Sequence, residues 1–248
     1  MGLKVKKIKT IKIGWFIDEN QLASFVFKEP LPVKRDREVP LSRRAVQACP
    51  AINFLEQRYF QVNFPYDLRL RYEFNNNSHN LLVIHDGTRI DDDIISQNIV
   101  LMKPELWRNK DFPTLQIKCP YIFICDDDVF MSQLPPFLSY KYNGLPGVMT
   151  AGRFPINVWP RVLNYGFECV DKEKDLIFKR GDPWFYVFFE TNNPEDNIKL
   201  VLAENTEDLK EYRRGINETV KYTSNSFGLF DEAKKRRPKK LLKEKRLK

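Results

Sequence analysis

The chain has 248 residues, 42% of them hydrophobic and 13% aromatic, enough to bury a substantial core in one large domain or two small ones. Its net charge of +8 is unevenly placed: residues 234–248 hold ten Lys/Arg and one acid, a local charge of +9, while the remaining 233 residues hold 31 bases and 32 acids. No apolar run approaches the roughly 20 residues of a membrane span, and the N-terminal alternation of Lys with aliphatics lacks the continuous apolar stretch of a secretion signal, so neither a spanning helix nor a signal peptide is expected.

Nineteen Phe, ten Tyr and four Trp against ten Gly point to a β-rich protein with aromatic packing. Along residues 3–17, Lys alternates with Val and Ile before Trp15, Phe16 and Ile17, the pattern of a strand with one wet face, and residues 23–28 are its expected partner. A proline-bearing loop is expected from Lys28 to Pro50, then a short helix with Ile52, Leu55 and Tyr59 on one face. The runs "QVNF", "DLRLRYEF" and "NLLVIHDG" predict strands, the last two joined as a hairpin through the Asn-rich turn "NNNSHN"; residues 93–107 are ambiguous.

After Pro113 further strands are predicted in "TLQIKC", "YIFIC", "FLSYKY", "PINVW", "VLNYGFECV", "DLIFKR" and "WFYVFFE". Trp184–Phe189 is apolar on both faces and should be a central strand, with Phe188 in the core and "KRGD" as the turn before it. Leu209, Tyr212, Ile216 and Val220 recur at helical spacing, predicting a helix near 206–222 capped by Asn205 or Thr206. The expected fold is mainly β, a β-sandwich or jelly-roll-like body with a few peripheral helices. A single domain over 1–230 would carry a basic tail over 231–248, disordered or helical.

Four stretches could carry chemistry. Asp126, Asp127 and Asp128 follow an apolar strand; "DDDVF" resembles the Asp-rich metal motif of nucleotide-sugar glycosyltransferases, in which Asp126 and Asp128 would hold a divalent ion against a diphosphate. That fold needs parallel strands with crossover helices, whereas the preceding 120 residues show hairpin spacing, so a turn with Asp side chains bonded to nearby backbone N–H groups is the preferred reading. His85 followed directly by Asp86 lacks the H-x-D spacing of an iron site, and His79 is the chain's other histidine. Cys49, Cys119, Cys125 and Cys169 show no C-x-x-C spacing, which predicts free buried thiols rather than a zinc site or a disulfide framework. No cofactor is expected.

The tail leaves two readings open: a solvated terminus, or an arm that contacts phosphates through Lys234, Lys235, Arg236, Arg237, Lys239, Lys240, Lys243, Lys245, Arg246 and Lys248. It has no aromatic residue for base stacking, so any nucleic-acid contact would be to the backbone and not sequence-specific. With only Leu241, Leu242 and Leu247 to bury, its removal is expected to leave the body folded. For the body of the chain, a further option is a jelly-roll small-ligand binder with a pocket lined by Trp159, Arg161, Trp184 and Tyr186.

"CPAINFLEQRYFQVNFPYDLRLRYE", "DDDVFMSQLPPFLSY", "GRFPINVWPRVLNYGFE" and "FKRGDPWFYVFFE" together resemble, in that order over residues 49–190, uncharacterised proteins of large tailed phages of marine bacteria, which in turn resemble a bacterial domain family of unknown function. The similarity rests on Cys49-Pro50, Pro65 and Asp67, then Gln133 with Pro135-Pro136, then Trp159 and Gly181-Asp182-Pro183; Pro160 between Trp159 and Arg161 departs from it. It implies a compact β-rich phage protein; the expected setting is the host cytoplasm or the virion, a virion or host protein is the expected kind of partner, and no membrane is expected. It supplies no reaction, and in it the Asp run belongs to the entry of a loop. The leading expectation is a non-enzymatic binding protein, with the metal-dependent transferase and the jelly-roll ligand binder as alternatives.

Overall fold

A computed structural model describes residues 8–18, 26–33, 49–52, 57–76, 78–85, 92–219 and 226–245. The protein is mainly β, with several antiparallel sheets and a few helices in an open, sandwich-like arrangement. The largest sheet has the order β11-β9-β14-β3-β2, formed by β11 (Gly152–Pro155), β9 (Val129–Leu134), β14 (Pro183–Thr191), β3 (Tyr59–Asn63) and β2 (Leu31–Pro32). A four-stranded sheet takes the order β10-β12-β7-β6 from β10 (Gly147–Thr150), β12 (Leu163–Cys169), β7 (Thr114–Cys119) and β6 (Ile99–Leu101). A smaller sheet joins β13 (Leu176–Phe178) to the hairpin of β4 (Leu68–Asn75) and β5 (Ser78–Val83), whose turn holds Asn76 at φ 50°.

The sheet that positions the candidate site has three strands, β15 (Asn197–Leu202), β1 (Thr10–Ile17) and β8 (Tyr121–Ile124); β1 runs parallel to β15 and antiparallel to β8. Its two faces belong to different cores. Ile11, Ile13, Trp15, Tyr121 and Phe123 enter the main core between the sheets. Phe16, Ile122, Ile124 and Val201 face a second core closed by α2 (Glu207–Thr219) and α3 (Ser226–Arg236). This explains why "YIFI" lacks alternation: all four side chains are buried because both faces are covered. The α2 face is the one predicted by spacing, with Leu209, Tyr212 and Ile216 all in the second core and Thr206 Oγ1 accepting the Leu209 N–H at 3.3 Å as cap.

Trp184–Phe189 lies in a central strand, flanked by β3 and β9. An irregularity in the β3 pairing between Pro183 and Phe185 turns both Trp184 and Phe185 into the core. Phe188 is only half-buried: it pairs with Tyr59 on the outer face, ring centroids 4.7 Å apart, and the fully buried ring is Phe189. In the "KRGD" turn Gly181 adopts φ 86°, a left-handed conformation open to glycine at little cost.

Several sequence expectations differ from the structure. Residues 137–142 form turns leading into a 3-10 turn (Tyr142–Gly144) rather than a strand, because Pro135-Pro136 end β9 and fold Phe137 back over Tyr59 and Tyr186. "PINVW" is strand only up to Pro155. The stretches "VFMSQL" and "NIKLVL", for which no strand is predicted, are strands β9 and β15. The ambiguous stretch resolves into α1 (Asp92–Asn98) followed by β6. Residues 53–56 of the expected helix and 23–25 of the expected second strand lie outside the described residues, and Phe27 and Lys28 are not in a strand.

Candidate functional site

The aspartate run is a bend between β8 and β9, as the turn reading expects. Its carboxylates bind parts of the chain far away in sequence. Asp126 Oδ1 accepts the backbone N–H of Leu241 at 2.6 Å and of Leu242 at 3.4 Å, and an N–H of Arg237 at 3.3 Å. Asp128 Oδ1 accepts the amide of Asn157 at 2.6 Å. Arg237 completes the junction by donating to the carbonyls of Asn157 at 2.6 Å, Pro238 at 3.0 Å and Cys125 at 3.4 Å. A carboxylate that accepts several N–H groups satisfies backbone donors that burial would otherwise strand. No group of three or more metal-ligating side chains occurs among the described residues.

The C-terminal segment is therefore docked, where the sequence had suggested a tail with little to bury. Lys234–Arg236 end α3, and residues 237–245 cross the second core as a strap. Leu241 and Leu242 are 2% and 8% exposed. Leu242 occupies the hollow left by the missing side chain of Gly14: a Cβ there would lie 2.4 Å from Leu242 Cδ1. The strap then pairs with the chain just after β15, with Glu204 N–H donating to Lys243 O at 2.8 Å and Lys245 N–H to Leu202 O at 2.9 Å. The Lys12 ammonium pairs with Glu244, pulling that carboxyl below its usual range. Two leucines, a glycine hollow and an aspartate just past the end of β8 make the dock. The charge run hid it, because the apolar content lies in only two adjacent residues.

Of the predicted nucleic-acid contacts, Lys235 pairs with Glu232, Arg237 with Asp126 and Lys243 with Glu204. Lys234, Lys239, Lys240 and Lys245 are exposed, and Arg236 lies at the mouth of a cleft facing α2. Arg246 and Lys248 lie outside the described residues. The strap thus carries the exposed Lys239, Lys240 and Lys245, with Lys234 exposed at the end of α3; Lys240 lies near Glu244 together with Lys12 and Lys199 of β1 and β15.

The proposed aromatic pocket does not assemble. Trp184 and Tyr186 are 1% and 2% exposed within the packed sheet, while Trp159 belongs to the second core, edge-on to Phe230 at 5.3 Å. Arg161 sits over the Trp159 ring, its guanidinium 5.6 Å from the centroid. These aromatics were conspicuous in the sequence for a packing reason. Both histidines line a groove between β5 and α1, with His79 Nδ1 2.5 Å from the Tyr72 hydroxyl. Cys119, Cys125 and Cys169 are buried free thiols, and burial raises Cys125 to about 12 and Cys169 to about 11, far from a reactive thiolate. Among the described residues no helix is long and apolar enough to cross a membrane. Neither the protein-family models nor the curated proteins gave a match.

Proposed function

We propose that this chain is a non-catalytic binding protein that contacts polyanions, nucleic-acid backbones first among them, through lysines displayed by the docked C-terminal strap. The observation that carries this reading is the use made of the aspartates. Asp126 and Asp128, the carboxylates best placed for metal chemistry, are occupied in holding the strap and Asn157. The strap in turn holds the exposed Lys239, Lys240 and Lys245 against the body, and Lys234 is exposed at the end of α3 just before it. A preformed set of cations loses less conformational entropy on binding than a free arm would, and lysines without aromatic neighbours suit phosphates rather than bases. The phage resemblance supports a setting in a virion or an infected bacterium. The test is the salt dependence of binding to duplexes of unrelated sequence. Affinity should fall steeply with salt, be indifferent to sequence, and weaken when the four lysines are replaced by glutamine with the strap left in place. Sequence-selective or salt-insensitive binding would refute it.

A further inference from the structure

A second site lies in the cleft between α2 and the end of α3, where the strap begins. The cavity measures about 390 Å³. Its floor is apolar: Tyr212, Ile216 and Ala233 are each at most 6% exposed, and Pro238 closes one end. The Tyr212 hydroxyl is held within 2.8 Å of Val158 O and 2.9 Å of Ala233 O, which fixes the ring as a wall of the cleft. At the rim Asp208 and Glu211 project from α2, with Arg236 from α3 lining the same cavity. The ion pairs on these turns, Lys210–Glu207 and Lys235–Glu232, stay within their own helices, and among the described residues none joins Arg236 to Asp208 or Glu211.

Opposite charges lining one apolar cavity, with no ion pair between them, form a complement to a molecule that carries both charges itself. We infer that this cleft binds a small apolar zwitterion of the size and charge pattern of an aromatic amino acid, its ammonium toward Asp208 and Glu211, its carboxylate toward Arg236 and its ring on Tyr212 and Ile216. The volume sits near the lower end of ligand pockets, which run roughly 300–1,000 Å³, a size that suits a single small molecule. The site is independent of the lysine set, since Arg236 takes no part in the latter.

The test is calorimetric titration of the full chain with phenylalanine, 2-phenylethylamine and 3-phenylpropanoate. Phenylalanine should bind best, and loss of either charged group should weaken binding by roughly tenfold or more, as expected for one charge-assisted contact. Arg236→Gln should reduce phenylalanine to the affinity of the amine without changing the amine's own, and Asp208→Asn with Glu211→Gln should do the converse. Gly215 also lines the cleft, and a Cβ there meets nothing within 4 Å among the described residues. Gly215→Leu should therefore fill the cavity and abolish binding of all three probes, while Gly215→Ala, folded with a better helix former, should retain it. Failure of phenylalanine to bind the wild-type protein at millimolar concentration would overturn the inference. So would binding that survives Gly215→Leu in a protein whose circular dichroism and melting temperature show it folded.

Discussion

Replacing Leu242 by alanine probes whether the strap is part of the fold. The side chain is 8% exposed and fills the hollow over Gly14, so its truncation removes buried contacts and leaves a cavity. Buried Leu→Ala changes cost about 2–5 kcal/mol. In a chain of this size each kcal/mol lowers the melting temperature by about 2–4 °C, which gives a fall of about 4–20 °C. A second substitution makes the test specific. Gly14→Ala places a methyl group 2.4 Å from Leu242 Cδ1, so that the Leu242 side chain or the strap must shift. In the double variant the shortened side chain at position 242 relieves that clash, so the two effects should combine to less than their sum. The relief is partial, because the new Cβ also meets Ile124 at 2.8 Å and Ala203 at 2.9 Å. Thermal and urea unfolding of the four proteins measures the coupling. A melting temperature unchanged within about 1 °C in Leu242→Ala, or strict additivity in the double variant, would refute the docking.

Asp126→Ala should destabilise by about 1–3 kcal/mol by leaving strap N–H groups unpaired, read as a lower urea midpoint at constant slope. Phe189→Ala should cost about 3–5 kcal/mol and Phe188→Ala clearly less, since only the former ring is fully buried; equal losses would mean the outer face is covered. Hydrogen bonds from Arg71, joined by Arg69, hold the Asp175 carboxyl down at about 2. Because the folded value lies below the unfolded one, this contribution is present above about pH 4 and is lost as pH falls toward 2, so Asp175→Asn should flatten the acid limb of the stability profile in that window. In thiol titration of the native protein Cys49 should react first, with Cys119, Cys125 and Cys169 reacting only on unfolding.

Hairpin spacing made the β class legible, as did the double-sided apolar run of β14 and the helical spacing of Leu209, Tyr212 and Ile216, because each is a local periodicity. What the sequence concealed depends on pairings distant along the chain. The strap is invisible to composition: Leu241-Leu242 is a short apolar pair inside a charge run, and its complement is a glycine more than two hundred residues earlier. The aspartates pointed to the right place for the wrong chemistry, since a carboxylate that holds a cation and one that accepts backbone N–H groups look alike in sequence. Trp159 and Trp184 suggested one pocket because both are large and aromatic, yet the three-stranded sheet separates the cores that contain them.

We propose a fixed set of lysines, on the docked strap and at the end of α3, as the polyanion contact. The direct measurement is the slope of log affinity against log salt for a duplex, compared between the wild-type protein and the variant with Lys234, Lys239, Lys240 and Lys245 replaced by glutamine. Each phosphate contact contributes a slope of about −0.9, so the variant should be shallower by about 3 to 4 while keeping the wild-type melting temperature. An identical slope in the two folded proteins, or no binding by either at low salt, would contradict the account.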